Sequence, residues 1–142
     1  MAVCGIIAEY DPFHKGHARH LRLARERSGA DDIVCVMSGS FTQRGVPALL
    51  SAHARAEMAL RCGADIVLQM PYAFSVREAE YFALGGVYIL HALGCVTHLS
   101  FGAEMFRWSL YSLTGFGTAG LFLLVAGMIP GLRHNLRKRF FF

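Results

Sequence analysis

The sequence predicts an α/β fold built on a parallel sheet, and three observations carry that prediction. Four short apolar, β-friendly segments, at residues 3–8, 32–37, 65–70 and 97–101, alternate with three longer helical stretches, the pattern of parallel strands joined by right-handed crossovers. A glycine follows each helical stretch, at Gly29, Gly63 and Gly94, where a helix most readily closes. The first strand breaks at Asp11-Pro12 and restarts as a helix through His14-Lys15-Gly16-His17. Ligands of such sheets bind at the carboxyl ends of the strands.

Residues 3–8 have the continuous apolar character of a central strand covered on both faces. Proline fixes its own φ and drives the preceding residue out of helical geometry, so the chain leaves the strand at Asp11-Pro12. From Lys15 onward, Ala18, Leu21, Leu23 and Ala24 supply an apolar face while Arg19, Arg22, Arg25 and Arg27 face water, and Ser28-Gly29 ends the helix. Residues 32–37 form a second buried strand, ending in the turn Ser38-Gly39-Ser40. Residues 48–62 read as helix with Gly63 as its cap, 65–70 as a strand stopped by Pro71, 77–93 as helix, and 97–101 as a fourth strand ending at Gly102.

The start of the first helix carries the chemistry. It places two imidazoles and a ring of free backbone N–H donors at the positive end of a helix, where phosphate oxygens bind. A side chain at Gly16 would obstruct the approach of a phosphate. His14 and His17 can point at one anion, and two donors aimed at the charge building on an α-phosphate favour nucleotidyl transfer over simple binding. A metal site from His14, His17 and His20 with Glu9 would ordinarily come with a paired Cys or an HExxH helix, and neither is in the chain. Arg44, in a loop bracketed by Gly39 and Gly45, is placed to grip a phosphate or carboxylate bidentately. Arg19, Arg22, Arg25 and Arg27 could touch an RNA backbone, but a charged outer helix face explains them as well. Tyr72, Phe74, Tyr81 and Phe82 read as core.

These residues resemble the HxGH signature, (F/Y)DPxHxGH, of nucleotidyltransferases with a Rossmann-like parallel sheet. The run is further similar to GIIxEYNPFHNGHxxHL of the bacterial tRNA(Met) cytidine acetate ligase family. Val36-Met37-Ser38-Gly39-Ser40-Phe41-Thr42-Gln43-Arg44-Gly45 resembles that family's VMSGNFVQRG, Arg55-Ala56-Glu57-Met58-Ala59-Leu60 its RAEMAL, and Phe101-Gly102-Ala103-Glu104 its FGSE. The likeness covers residues 1–104 almost continuously. It implies that ATP and acetate give acetyl-adenylate and pyrophosphate, and that the acetyl group passes to N4 of the wobble cytidine of elongator tRNA(Met). It assigns ATP contact to Ile7, Ala8, Glu9, Tyr10, Asp11, Pro12, Phe13, His14, Lys15, Gly16, His17, Ala18, Arg19 and His20, with a further backbone contact at Gly102. His14 and His17 are the catalytic pair. Mg2+ is expected to accompany ATP without assigned protein ligands. Asp11 stands where the family has Asn, Ser51-Ala52-His53 replaces a stretch that often carries Asp-Lys-Trp, and Ala103 replaces Ser. An adenylyltransferase for another small acceptor usually adds a Ser-Thr and Arg signature near the last strand, which is not visible. A non-catalytic nucleotide-binding fragment is the remaining alternative.

Charge divides the chain. Residues 1–104 hold nine Lys or Arg against ten Asp or Glu, a net of −1, whereas residues 105–142 hold five basic residues and no acid. The whole-chain value of +4 therefore comes from the tail and is no nucleic-acid footprint of the catalytic part. Within that tail, residues 108–132 are an uncharged run of 25, long enough for a membrane span. The basic end that follows would orient residues 1–104 away from cytosolic ATP. A membrane or interfacial anchor, an altered C-terminus, and an apolar element packed on the sheet are the three readings, and five glycines with Pro130 in the run oppose one long regular helix. The expected organisation is thus an ATP-binding domain at 1–104 and a divergent tail at 105–142. Cys4, Cys35, Cys62 and Cys95 form no CxxC pair and read as buried thiols of a reducing cytosol. With no signal-peptide pattern at the N-terminus, a cytoplasmic protein is expected.

Overall fold

The computed structural model describes residues 1–101 together with the strand pair at 140–141. In chain order the elements are β1 (Val3–Ala8), α1 (Lys15–Ser28), β2 (Asp32–Met37), α2 (Ala52–Arg61), β3 (Ile66–Gln69), α3 (Tyr72–Ser75), α4 (Ala79–Ala92), β4 (His98–Ser100) and β5 (Phe140–Phe141). The strands make one sheet in the order β3-β2-β1-β4-β5, and every pair is parallel. Val3 faces Asp32 and Ala8 faces Met37 along β1 and β2, while Cys4 to Ile6 run beside His98 to Ser100. The chain winds outward through β2 and β3 on one side of β1 and through β4 and β5 on the other. β1 and β4 therefore flank the topological switch point, where the crevice of such a sheet opens.

Alternation along the strands sorts the core into two layers, because successive side chains point to opposite faces. Cys4, Ile6, Ile33, Cys35 and Met37 pack with Leu21 and Ala24 of α1 and Ala59 of α2. Val3, Val34, Val36 and Leu99 pack with Val87 and Leu90 of α4 on the opposite face. α4 lies close on β1 because it carries no side chain at the contact: a Cβ on Gly86 would come within 2.6 Å of Ile7.

The boundaries differ from the sequence expectations for identifiable reasons. α2 starts at Ala52 instead of residue 48, since Ser51 caps it by accepting from the Ala54 N–H at 3.2 Å. The amides just before are committed elsewhere, Ala48 to the Ser40 carbonyl at 2.9 Å and Leu49 to Asp11 Oδ1 at 2.8 Å. The short helix α3 was not expected; Phe74 and Ser75 close it on the Pro71 carbonyl. Asp65 lies outside β3 because its carboxylate accepts from the Ile33 N–H at 2.6 Å and from Arg25. Arg25 is accordingly no free solvent arginine: it also donates to the carbonyls of Ala30, Asp31 and Gly63. Two of the four thiols correct the expectation of burial, since Cys62 and Cys95 are exposed while Cys4 and Cys35 are buried. Phe74 and Phe82 pack against the core as expected, but Tyr72 and Tyr81 are 63% and 42% exposed. The uncharged run at 108–132 lies outside the described residues. Among the described residues no helix is long and apolar enough to cross a membrane.

Candidate functional site

At the carboxyl end of β1 the two histidines cap α1 reciprocally. His14 is the N-cap in extended geometry, and its Nδ1 accepts the Gly16 N–H at 3.0 Å. His17, at the third helical position, accepts the His14 N–H on its own Nδ1 at 3.3 Å. The rings stack with centroids 3.7 Å apart and planes 24° from parallel. This is a capping box with imidazoles in place of the usual hydroxyl and carboxylate. A ring nitrogen that accepts cannot carry the proton, so each neutral imidazole holds its proton on Nε2. The cap thereby fixes two stacked imidazoles, each with its Nδ1 turned to the backbone, at the positive end of a helix.

The expectation of a ring of free N–H donors is corrected at this point. The Gly16 amide is held by His14, the His14 amide by His17, and the His17 and Ala18 amides by the His14 carbonyl at 3.0 and 3.2 Å. The cap satisfies these four donors internally, so the imidazole rings stand where free amides were expected at the start of the helix.

The turn ahead of the cap is braced by aromatics. Tyr10 is buried, with φ at +53°, an uncommon conformation for a bulky residue, and is followed by the cis Asp11-Pro12 peptide. Its ring meets Phe13 at 4.9 Å and His17 at 5.0 Å, edge to face, and Phe13 tilts against His17 at 5.5 Å. The Tyr10 hydroxyl lies 3.4 Å from Cys35 Sγ. Burial first, then Cys35, pushes the phenol well above its ordinary range, and burial pushes the Cys35 thiol up to about 11.

A second feature, not singled out from the sequence, sits beneath the turn. Arg55 on α2 is fully buried. Its guanidinium donates to the carbonyls of Glu9, Leu50, Ser38 and Gly39 and to Ser38 Oγ. These acceptors lie at the carboxyl ends of β1 and β2 and in the loop that follows β2. Burial lowers the guanidinium from its ordinary range, with Asp11 and Glu9 opposing that shift. Those two carboxylates fasten the same loop, Glu9 by accepting the Gln43 N–H and Asp11 by accepting the Leu49 N–H. An arginine inside an apolar helix face was the one sequence signal that could have pointed to it.

The predicted site residues thus divide. Ile7 packs on α4 and Ala8 on the opposite core layer. Glu9, Tyr10 and Asp11 build the turn. Pro12, His14, Lys15 and Arg19 are exposed, and Phe13, Gly16, His17, Ala18 and His20 are half-buried. His20 bridges to β4, its Nε2 lying 2.9 Å from Ser100 Oγ, so it ties the two sides of the switch point together away from the cap. Arg44 is exposed on the fastened loop and lines a cleft with Gln43, Arg77 and Tyr81. Gly102 lies outside the described residues. Among the described residues no group of three or more His, Cys, Asp or Glu is arranged to hold a metal ion.

A parallel α/β sheet whose switch-point turn offers paired imidazole donors at a helix N-terminus defines a nucleotide-binding domain of Rossmann-like architecture. Comparison with known proteins sharpens that class. The family model described as HIGH Nucleotidyl Transferase matches residues 1–116, and the chain belongs to this family. Over 104 residues it is 54% identical to a tRNA(Met) cytidine acetate ligase of Geobacillus sp. (strain WCH70), a match covering 73% of this chain and 26% of that protein. A ligase of the same name from Halothermothrix orenii is 46% identical over 138 residues, 97% of this chain and 30% of that protein. The crystal structure of Thermotoga maritima TmcAL bound with alpha-thio ATP superposes with a TM-score of 0.69 at 49% identity, over 70% of this chain and 24% of that one. The chain thus spans about a quarter to a third of the length of these relatives.

Proposed function

We propose that this chain provides the ATP-binding, acetate-activating part of a tRNA(Met) cytidine acetate ligase acting in the cytoplasm. The observation that carries the reading is the reciprocal His14–His17 cap, which holds two stacked imidazoles at the helix start just past the end of β1. In the first step an acetate oxygen attacks the α-phosphorus of ATP, the bond to the β-phosphate oxygen breaks, and pyrophosphate leaves with the electron pair. Negative charge grows on the α-phosphate oxygens and the leaving group, where the two donors stabilise it. In the second step the N4 amine of the wobble cytidine attacks the acetyl carbonyl, AMP leaves, and the amine proton passes to solvent. Neither step needs a protein nucleophile, only positioning and charge stabilisation.

The remaining assignments belong to the same reading. The run Ile7–His20 cradles the nucleotide, Gly102 adds a backbone contact, and Arg44 grips a phosphate or a carboxylate. Mg2+ enters with the triphosphate, because Glu9 and Asp11 are turned to the loop amides. Support comes from the likeness to a relative crystallised with alpha-thio ATP.

Acetate-dependent exchange of labelled pyrophosphate into ATP tests the reading. The parent chain is expected to exchange only with acetate present, and His17→Ala to exchange about 100- to 1,000-fold more slowly, the usual loss when one such donor is removed. Exchange unaffected by His17→Ala would remove the histidines from the chemistry. Nucleotide binding with no exchange at all would leave the chain a nucleotide-binding module.

A further inference from the structure

The cleft beside the nucleotide turn carries a stacked arginine–tyrosine pair, Arg77 and Tyr81, that ATP activation does not use. It measures about 440 Å³ and is lined by Gln43, Arg44, Val76, Arg77, Glu78 and Tyr81. Its connection to the site is direct. The Gln43 amide donates to Glu9 at the end of β1, and the Gln43 side-chain amide donates to the Arg77 carbonyl at 3.2 Å. Arg77 lies over the Tyr81 ring at 4.5 Å from its centroid, so guanidinium and phenol form one stacked platform. Tyr81 is 42% exposed, and Tyr88, two turns further along α4, is 62% exposed. Among the described residues neither Arg44 nor Arg77 has a carboxylate within ion-pair distance.

An exposed aromatic–arginine stack next to a further unpaired arginine matches one ligand chemistry: an unstacked base on a phosphate backbone. Bases stack on aromatic rings and on guanidinium planes, and arginines hold the phosphates between them. Glu78 at the rim repels a second phosphate, which leaves the backbone on the Arg44 side and the base on the Arg77–Tyr81 side. We propose that this cleft is the docking site for the single-stranded RNA segment that carries the acceptor cytidine, with Arg77 and Tyr81 stacking a neighbouring base and Arg44 holding its phosphate. The inference rests on the acetate-ligase reading, which requires the N4 amine to reach the acyl group at the α-phosphate. The cleft is one hydrogen bond from the turn that would hold that group.

The test titrates the full chain with a synthetic RNA hairpin whose unpaired loop contains the acceptor cytidine. Parent, Arg77→Ala, Arg77→Lys, Tyr81→Ala, Tyr81→Phe and Glu78→Gln are each measured at several salt concentrations. The same preparations are assayed for acetate-dependent pyrophosphate exchange without RNA. Tyr81→Ala is expected to weaken RNA binding about 5- to 100-fold and Tyr81→Phe to stay near the parent, because stacking needs the ring and not the hydroxyl. Arg77→Ala and Arg77→Lys should both weaken binding, the lysine less, since it keeps the charge but not the plane. Glu78→Gln should tighten it. Exchange should be unchanged in all of them. A parent chain that does not bind the hairpin, variants that bind it as the parent does, or Tyr81→Phe failing like Tyr81→Ala would each overturn the proposal. Because exchange reads the first step alone, its absence in the parent would count against the activation reading and not against the cleft.

Discussion

Two arginines hold the two ends of this sheet by the same device and in opposite circumstances. Arg25 gathers the carbonyls of Ala30, Asp31 and Gly63 at the amino end, and its charge is met by Asp65 with side chains 36% and 39% exposed. Arg55 gathers the carbonyls of Glu9, Ser38, Gly39 and Leu50 at the carboxyl end, fully buried and, among the described residues, without a direct carboxylate partner. An exposed ion pair contributes little, because water screens it and replaces it at small cost. A buried guanidinium bonded to neutral oxygens is costly to remove, because every acceptor it leaves behind is stranded away from water. The amino end is thus merely closed, while the carboxyl end is held rigid, and the rigid end carries the histidine cap and the loop that bears Arg44.

Removing Arg55 should break that comparison most visibly. Arg55→Met keeps much of the apolar stem and strands the carbonyls, so a loss of about 3 kcal/mol or more is expected in urea unfolding. A loss below about 1 kcal/mol would mean that the loop finds other partners and that Arg55 is not what holds the carboxyl end.

Alkaline pH probes the layer between the two ends. Burial raises the thiols of Cys4 and Cys35 to about 11 from an unfolded value near 9.0. The folded state therefore keeps protons that the unfolded chain releases. Stability is full below about pH 9 and falls as pH rises towards about 11, by as much as about 3 kcal/mol for each thiol. Thermal melts of the parent, Cys4→Ala and Cys35→Ala across that window check the sign, and a slope unchanged by either substitution would assign the effect elsewhere.

The smallest effect is expected at the amino end. Asp65→Asn keeps an acceptor for the Ile33 N–H and removes only the charge facing Arg25, so a loss of less than about 1 kcal/mol that shrinks further in high salt is expected. A larger, salt-independent loss would put the two arginines on an equal footing.

Much of the molecule was legible in the chain. The strand–turn–helix at Val3 to His20 was readable because local rules act there: an apolar run, a proline that cannot continue it, and a helix that needs a cap. The imidazoles stood out at the helix start, but not as each other's cap, since the bond from the Gly16 amide to His14 Nδ1 depends on side-chain rotamers that spacing does not specify. Arg55 read as one residue of a matched motif, because its partners Glu9, Ser38 and Leu50 lie 46, 17 and 5 residues away. Tyr72 and Tyr81 were expected in the core since aromatic content alone does not say which face of α3 or α4 meets the sheet. Arg25 was expected in water for the same reason.

By itself, then, the sequence determined the parallel α/β order, the position of the switch-point turn and the residue types that stand there. These follow from periodicity, proline stereochemistry and helix-end electrostatics, which act over a few residues. Only the tertiary structure decided that the cap closes on its own amides, that a buried arginine holds the strand ends beneath it, and that a guanidinium–tyrosine stack stands open two hydrogen bonds away. Each of those depends on groups far apart in the chain meeting at one point, a condition that packing of the whole sheet imposes and no local pattern encodes.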